Sequence, residues 1–162
     1  MLGPKGTALL ETLEGRRLTA YQDGRGVWTI GVGHTAGVKA GDVITDAQCD
    51  AFLQQDTATA AAAVDRAVTV PLAPCQRDAL ILIVFNVGPG QGGVKTGALW
   101  RQDGGTPTNL LSAVNSRQRT AAARSFLDFD QMRDPNGRLV EVAGLLRRRM
   151  LEAALFLEQP FP

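Results

Sequence analysis

The chain has 162 residues, 44% of them hydrophobic and 20% charged, with a formal net charge of +1. This length can bury a real core within one domain, and the composition is that of a globular chain rather than a disordered one. The small net charge excludes a dedicated nucleic-acid binder.

In chain order, residues 6–14 read as a short helix, with Thr7 as an N-cap, Leu9, Leu10 and Leu13 at helical spacing, and Gly15 as the residue that ends it. A β-rich segment follows over about 18–35, where Gly24, Gly26, Gly31 and Gly33 permit tight turns. Thr45-Asp46-Ala47-Gln48 has the form of a capping box and opens a long Ala-rich helix to about Val68. After a break at 70–74, residues 76–87 form a helix that is apolar nearly all round and therefore buried. Residues 88–105 are Gly-rich but lack the Gly-Lys-Ser/Thr ending of a phosphate-binding loop. Helices are expected at 109–114, 120–126 and 144–157, with a turn at Asp134-Pro135-Asn136-Gly137. The whole reads as an α+β chain, mainly helical.

Charge is uneven. Residues 40–65 hold five Asp and no Lys or Arg, whereas 115–149 hold eight Arg against four acids. The basic run is either an attraction for an anionic polymer or an ordinary solvated helix surface. His34 is the only histidine, and Cys49 and Cys75 stand far apart, so neither a metal site nor a cofactor is expected. Two isolated cysteines fit a reducing compartment, with one disulfide left open. No apolar run suits a signal peptide, and the most apolar stretch, 79–85, is far shorter than the roughly 20 residues that span a bilayer.

The chemistry concentrates in 14–35. Glu14 closes the first helix, where the negative end of the helix dipole favours a protonated carboxyl. Asp23 lies in a polar, turn-like run, Gln22-Asp23-Gly24-Arg25-Gly26, and Thr29 lies in the strand-like Trp28-Thr29-Ile30. Two carboxyl groups in different environments with a hydroxyl nearby suit acid-catalysed cleavage of a sugar acetal. Taken singly, each residue also has an ordinary explanation: a helix-end Glu, a turn Asp and a strand Thr. Their joint spacing, eight residues between Glu14 and Asp23 and five between Asp23 and Thr29, carries the case.

That spacing resembles the catalytic signature of the phage-type lysozymes, the endolysins of glycoside hydrolase family 24. The flanking Glu14-Gly15, Leu18, Ala20-Tyr21, Gly26, Thr29-Ile30-Gly31 and Gly33-His34-Thr35 fit it. So do Gly41-Asp42, Ile44-Thr45, Gln76, Ala79-Leu80, Phe85-Asn86-Val87-Gly88, and Gly144-Leu145 with Arg148-Arg149 and Glu152. The resemblance implies a lysozyme-like two-lobed fold in a single domain, 1–162. The β-rich lobe would cover about 15–45, a connecting helix about 46–68, and the helical lobe about 69–162 plus the first helix.

The implied activity is a muramidase that cleaves peptidoglycan between N-acetylmuramic acid and N-acetylglucosamine, with inversion. Glu14 would be the acid, Asp23 the second carboxylate, and Thr29 the residue that places water. The resemblance also implies a His34–Asp56 ion pair across the lobe junction, Asn86 facing the cleft, and Arg148 approaching Glu14. It implies a separate holin that releases the protein from the host cytoplasm to the cell wall; a monomer is the default expectation, and the net charge of +1 argues against a nucleic-acid partner. Phe129 stands where the family often has Trp, and Gly97-Ala98-Leu99-Trp100 replaces a Ser-Thr-Leu-Leu-like run. A lytic transglycosylase is the alternative on the same bond, and a non-catalytic wall-binding or phage structural module the alternative of another class. Asp23 and Thr29 both weigh against these, since neither alternative needs a water-activating pair.

Overall fold

The computed structural model describes residues 1–24, 26–90, 96–103, 105–133, 136 and 138–162. Among the described residues, six helices and two small antiparallel sheets follow in the order α1 (Pro4–Glu14), β1 (Arg17–Gln22), β2 (Trp28–Gly31), α2 (Asp46–Ala67), α3 (Pro74–Val87), α4 (Asn109–Asn115), α5 (Arg119–Ser125), β3 (Gln131–Arg133), β4 (Leu139–Glu141) and α6 (Ala143–Leu157). A 3-10 turn, Phe126–Phe129, joins α5 to β3.

The core is built on α3, which is buried from Cys75 to Val84 apart from a partly exposed Arg77. It packs against α6, α2 and α1. To the same buried cluster α2 contributes Ala60, Ala61, Val64 and Ala67, and α6 contributes Leu155 and Phe156. Phe126 stacks obliquely on Phe156 at 5.7 Å between ring centres. Each such Leu, Ile or Phe contributes about 1.5–3 kcal/mol by leaving water, so this layer fixes the arrangement of the helices. Cys49 and Cys75 are both buried and outside any disulfide, and desolvation pushes both thiols above their ordinary value. Among the described residues no helix is long and apolar enough to cross a membrane.

Helix α1 begins earlier than its sequence suggests. The N-cap is Gly3, followed by Pro4 at the first helical position, while the Thr7 N–H is already bonded to the Gly3 carbonyl at 3.0 Å. The cap comes from another helix: Asp78 of α3 accepts from the Gly3 N–H at 2.8 Å and the Gly6 N–H at 3.1 Å. A carboxylate suits the positive end of a helix. A Cβ on Gly6 would sit 2.8 Å from Asp78 side-chain atoms, so glycine there is a requirement of the packing. The capping box of α2 forms as its sequence indicates, with Thr45 Oγ1 accepting from Gln48 N–H at 3.2 Å and Gln48 Oε1 accepting from Thr45 N–H at 2.8 Å.

In the first sheet β1 and β2 are antiparallel, with Tyr21 opposite Thr29 and Gln22 opposite Trp28. Bridges from Thr19 to Val43 and from Ile30 to His34 fold the following loop back onto it. The β3–β4 hairpin is not foreseen by the sequence. Of the turn expected at 134–137, Asp134, Pro135 and Gly137 lie outside the described residues.

Candidate active site

Glu14 is the last residue of α1 and is partly exposed. Gly15 then takes the left-handed φ of 78°, which turns the chain from the helix into β1. The Glu14 carboxylate reaches toward α6, where Arg148 Nη1 donates to its Oε1 at 2.6 Å. Its Oε2 faces the backbone at Gly33, where a Cβ would stand 4.0 Å away. One oxygen is therefore held and the other is left toward the Gly-rich strand end.

Asp23 follows β1 directly and organises its own turn. Its N–H donates to the Val27 carbonyl at 2.9 Å, its carbonyl accepts from Gly26 N–H at 2.9 Å, and its Oδ1 accepts from Val27 N–H at 2.8 Å. Thr29, on β2, is 4% exposed, and its hydroxyl donates to the Val27 carbonyl at 3.1 Å. With the donor spent, the Thr29 oxygen is left as an acceptor. The β1–β2 register and this shared bonding to Val27 bring Asp23 and Thr29 to one end of the sheet.

The sequence singled out Arg148, Asn86, His34 and Asp56 beside these three, and the structure engages each in a bond. Arg148 Nε donates to Glu152 Oε1 at 3.1 Å, Arg149 Nη1 lies 3.1 Å from Glu152 Oε2, and Arg149 Nη2 donates to Asn86 Oδ1 at 2.6 Å. A chain of alternating charge thus runs from Glu14 through Arg148, Glu152 and Arg149 to Asn86. Arg149 and Glu152 are fully buried. Burial pushes the Glu152 carboxyl up and the Arg149 guanidinium down, against the opposing pull of their mutual attraction. A guanidinium keeps its proton even so, so Arg149 remains a buried cation beside Glu152 and each depends on the other.

His34 is 5% exposed, with Nδ1 within 2.9 and 3.0 Å of the two Asp56 oxygens and Nε2 3.1 Å from the Ala36 carbonyl. Both ring nitrogens face acceptors. Phe52 stacks on the ring at 4.1 Å.

Three features escaped sequence reasoning. The first is the Glu152–Arg149 half of the buried network. The second is the Asp78 cap that anchors the other end of α1. The third is the fate of most of the acidic run at 40–65: Arg16 takes Asp46 and Asp50, and Arg77 takes Asp65. The basic run is likewise partly consumed, since Arg148 and Arg149 are buried and Arg117 and Arg119 bond the carbonyls of Pro162 and Leu157. Separately, a cavity of about 410 Å³ opens beside Phe129, lined by Arg101, Asp103, Asn109 and Asp128 among others, and by none of Glu14, Asp23 and Thr29.

The family model described as phage lysozyme matches residues 11–152. An endolysin of Acyrthosiphon pisum secondary endosymbiont phage 1 is 36% identical over 155 residues, covering 96% of this chain and 97% of its own. The endolysin from Escherichia coli O157:H7 phage FAHEc1 superposes with a TM-score of 0.81 at 28% identity, over 100% of this chain and 96% of that one. The muramidase domain of SpmX from Asticaccaulis excentricus does so with a TM-score of 0.77 at 31% identity, over 98% and 99%. The chain belongs to the phage lysozyme family and is a lysozyme-type hydrolase.

Proposed function

We propose that this protein is a muramidase that cleaves the β-1,4 bond between N-acetylmuramic acid and N-acetylglucosamine in peptidoglycan, with inversion, and acts as an endolysin in host cell lysis. Family membership and the endolysin and muramidase relatives support a peptidoglycan hydrolase. The observation that carries the finer reading is the asymmetry at Glu14. Arg148 holds Oε1, while Oε2 is turned away toward Gly33, on the segment that follows the Thr29 strand.

In this reading a protonated Glu14 gives its proton to the glycosidic oxygen as the bond to the anomeric carbon breaks. Water attacks that carbon from the opposite face and passes a proton to Asp23. The Thr29 oxygen, with its own hydrogen committed to Val27, accepts a hydrogen bond from this water and orients it. Arg148 fixes the Glu14 side chain, and His34 with Asp56 ties the strand segment to α2. Asn86 supports the site through Arg149. The reading requires neither metal nor cofactor. It includes a monomer, release from the host cytoplasm to the wall through a separate holin, and no nucleic-acid partner.

Product analysis tests it. Mass spectrometry of digested peptidoglycan should show reducing N-acetylmuramic acid ends, and early NMR spectra should show the α-anomer first. Anhydro ends would make the protein a lytic transglycosylase, a β-anomer would make it retaining, and no cleavage would leave a binding module.

A further inference from the structure

Arg16 lies two residues after Glu14, just past the Gly15 turn and immediately before β1. All five of its guanidinium N–H bonds find acceptors. Nη1 donates to Glu11 Oε1 at 2.7 Å and to Asp50 Oδ1 at 2.9 Å. Nη2 donates to Asp46 Oδ1 at 2.9 Å and to the Asp46 carbonyl at 3.1 Å, and Nε donates to Asp46 Oδ1 at 3.1 Å. The acceptors belong to two helices. Glu11 is in the last turn of α1, and Asp46 and Asp50 occupy successive turns at the start of α2.

Single surface ion pairs hold little, because water screens them. Here the Arg16 side chain is only 25% exposed, and one rigid fork meets three carboxylates and a carbonyl at once. Such a fork fixes direction as well as charge. Its position matters more than its strength. The Glu14 side chain is bound to α6 through Arg148, whereas Asp23 and Thr29 ride on β1 and β2. The covalent link between these two halves of the site is Gly15–Arg16, and Gly15 has no side chain to stiffen it.

We propose that Arg16 is a positioning residue for the hydrolysis: by pinning the start of β1 to α1 and α2, it sets where Asp23 and Thr29 stand relative to Glu14. This rests on the reading of Glu14 as the acid. Arg16 touches no reacting atom. Its loss would leave the cleft able to hold glycan but would spread the distance between acid and water-placing groups, and misplacement of that kind lowers turnover more than binding.

The test is steady-state kinetics on soluble, un-cross-linked glycan strands for wild type, Arg16→Ala, Arg16→Lys, the double variant Asp46→Asn/Asp50→Asn, and Glu14→Gln, each checked for folding by circular dichroism. Arg16→Ala should lower kcat about 5–20-fold with KM within about twofold. Arg16→Lys should recover less than half of the loss, because one ammonium cannot span Asp46 and the Glu11–Asp50 pair together. The double Asn variant keeps an acceptor oxygen at each position but loses both charges, so it should show a smaller fall in kcat and add little when combined with Arg16→Ala. It carries the test alone if Arg16→Ala does not fold. Unchanged kcat in the folded variants, a change in KM alone, or full rescue by Lys overturns the proposal. Full activity in Glu14→Gln instead overturns the acid assignment, whereas an inactive Glu14→Gln beside a fully active Arg16→Ala overturns the positioning role only.

Discussion

Replacing Arg148 by Met removes the cation between two carboxylates of unequal burial. Toward Glu14 it loses a 2.6 Å charge-assisted bond to a side chain that is 29% exposed, which water partly replaces. Toward Glu152 it loses a 3.1 Å bond to a side chain that is 0% exposed, which water cannot replace. Breaking a buried pair by removing one partner costs about 3–5 kcal/mol. Arg149 remains 3.1 Å from Glu152, so the lower part of that range applies, about 3 kcal/mol. For a chain of this length that is a fall of about 6–12 °C in Tm.

Turnover should fall as well, by about 10–100-fold, because Glu14 loses the donor that orients it. Urea unfolding followed by circular dichroism measures the first effect, and dye release from labelled cell walls the second. A stability loss below about 1 kcal/mol together with near-normal turnover would refute the claim that Arg148 joins the acid to the buried network. The triple replacement Arg148→Met, Arg149→Met, Glu152→Leu should be more stable than Arg148→Met alone, since no buried charge is then left without its partner.

Other consequences follow from the same geometry. Asp78→Ala leaves the Gly3 and Gly6 N–H groups without an acceptor and should cost about 1–3 kcal/mol in urea unfolding, while Asp78→Asn, which keeps one carboxamide oxygen, should cost less. An unchanged midpoint for Asp78→Ala would count against this cap. Asp56→Asn weakens the bond to a His34 ring that is 5% exposed and should cost about 1–2 kcal/mol near pH 6, seen as an earlier urea midpoint. The forked bonds from Arg77 at 2.8 and 2.7 Å hold the Asp65 carboxyl below its usual range. A lowered folded value gives stability that is present above about pH 4 and is lost as pH falls through that lowered value. The Tm difference between wild type and Arg77→Met should therefore be larger at pH 6 than at pH 2, and a difference that grows on acidification would contradict it.

Local chemistry made some of this legible in sequence. The α2 capping box, the Ala-rich helix it opens and the apolar α3 are all written in contiguous residues. Glu14, Asp23 and Thr29 stood out by spacing, while the pairings of Arg148 with Glu14 and His34 with Asp56 came from resemblance. What was hidden depends on partners far along the chain. The start of α1 is set by Asp78, 75 residues from Gly3, so Thr7 offered a false cap. The five bonds of Arg16 reach 34 residues, and nothing around Arg16-Arg17 distinguishes one arginine from the next. The β3–β4 hairpin has strands of three residues, and Leu139 and Val140 are exposed, so no alternation marks it.

In the proposed mechanism, cleavage turns on the proton at Glu14. The most direct measurement compares the kcat of Glu14→Gln with wild type on purified peptidoglycan, with Tm measured in parallel. An amide keeps a hydrogen-bond acceptor for Arg148 but has no proton to give, so turnover should fall at least about 10³-fold while Tm changes by no more than a few degrees. Turnover within tenfold of wild type would show that the acid lies elsewhere.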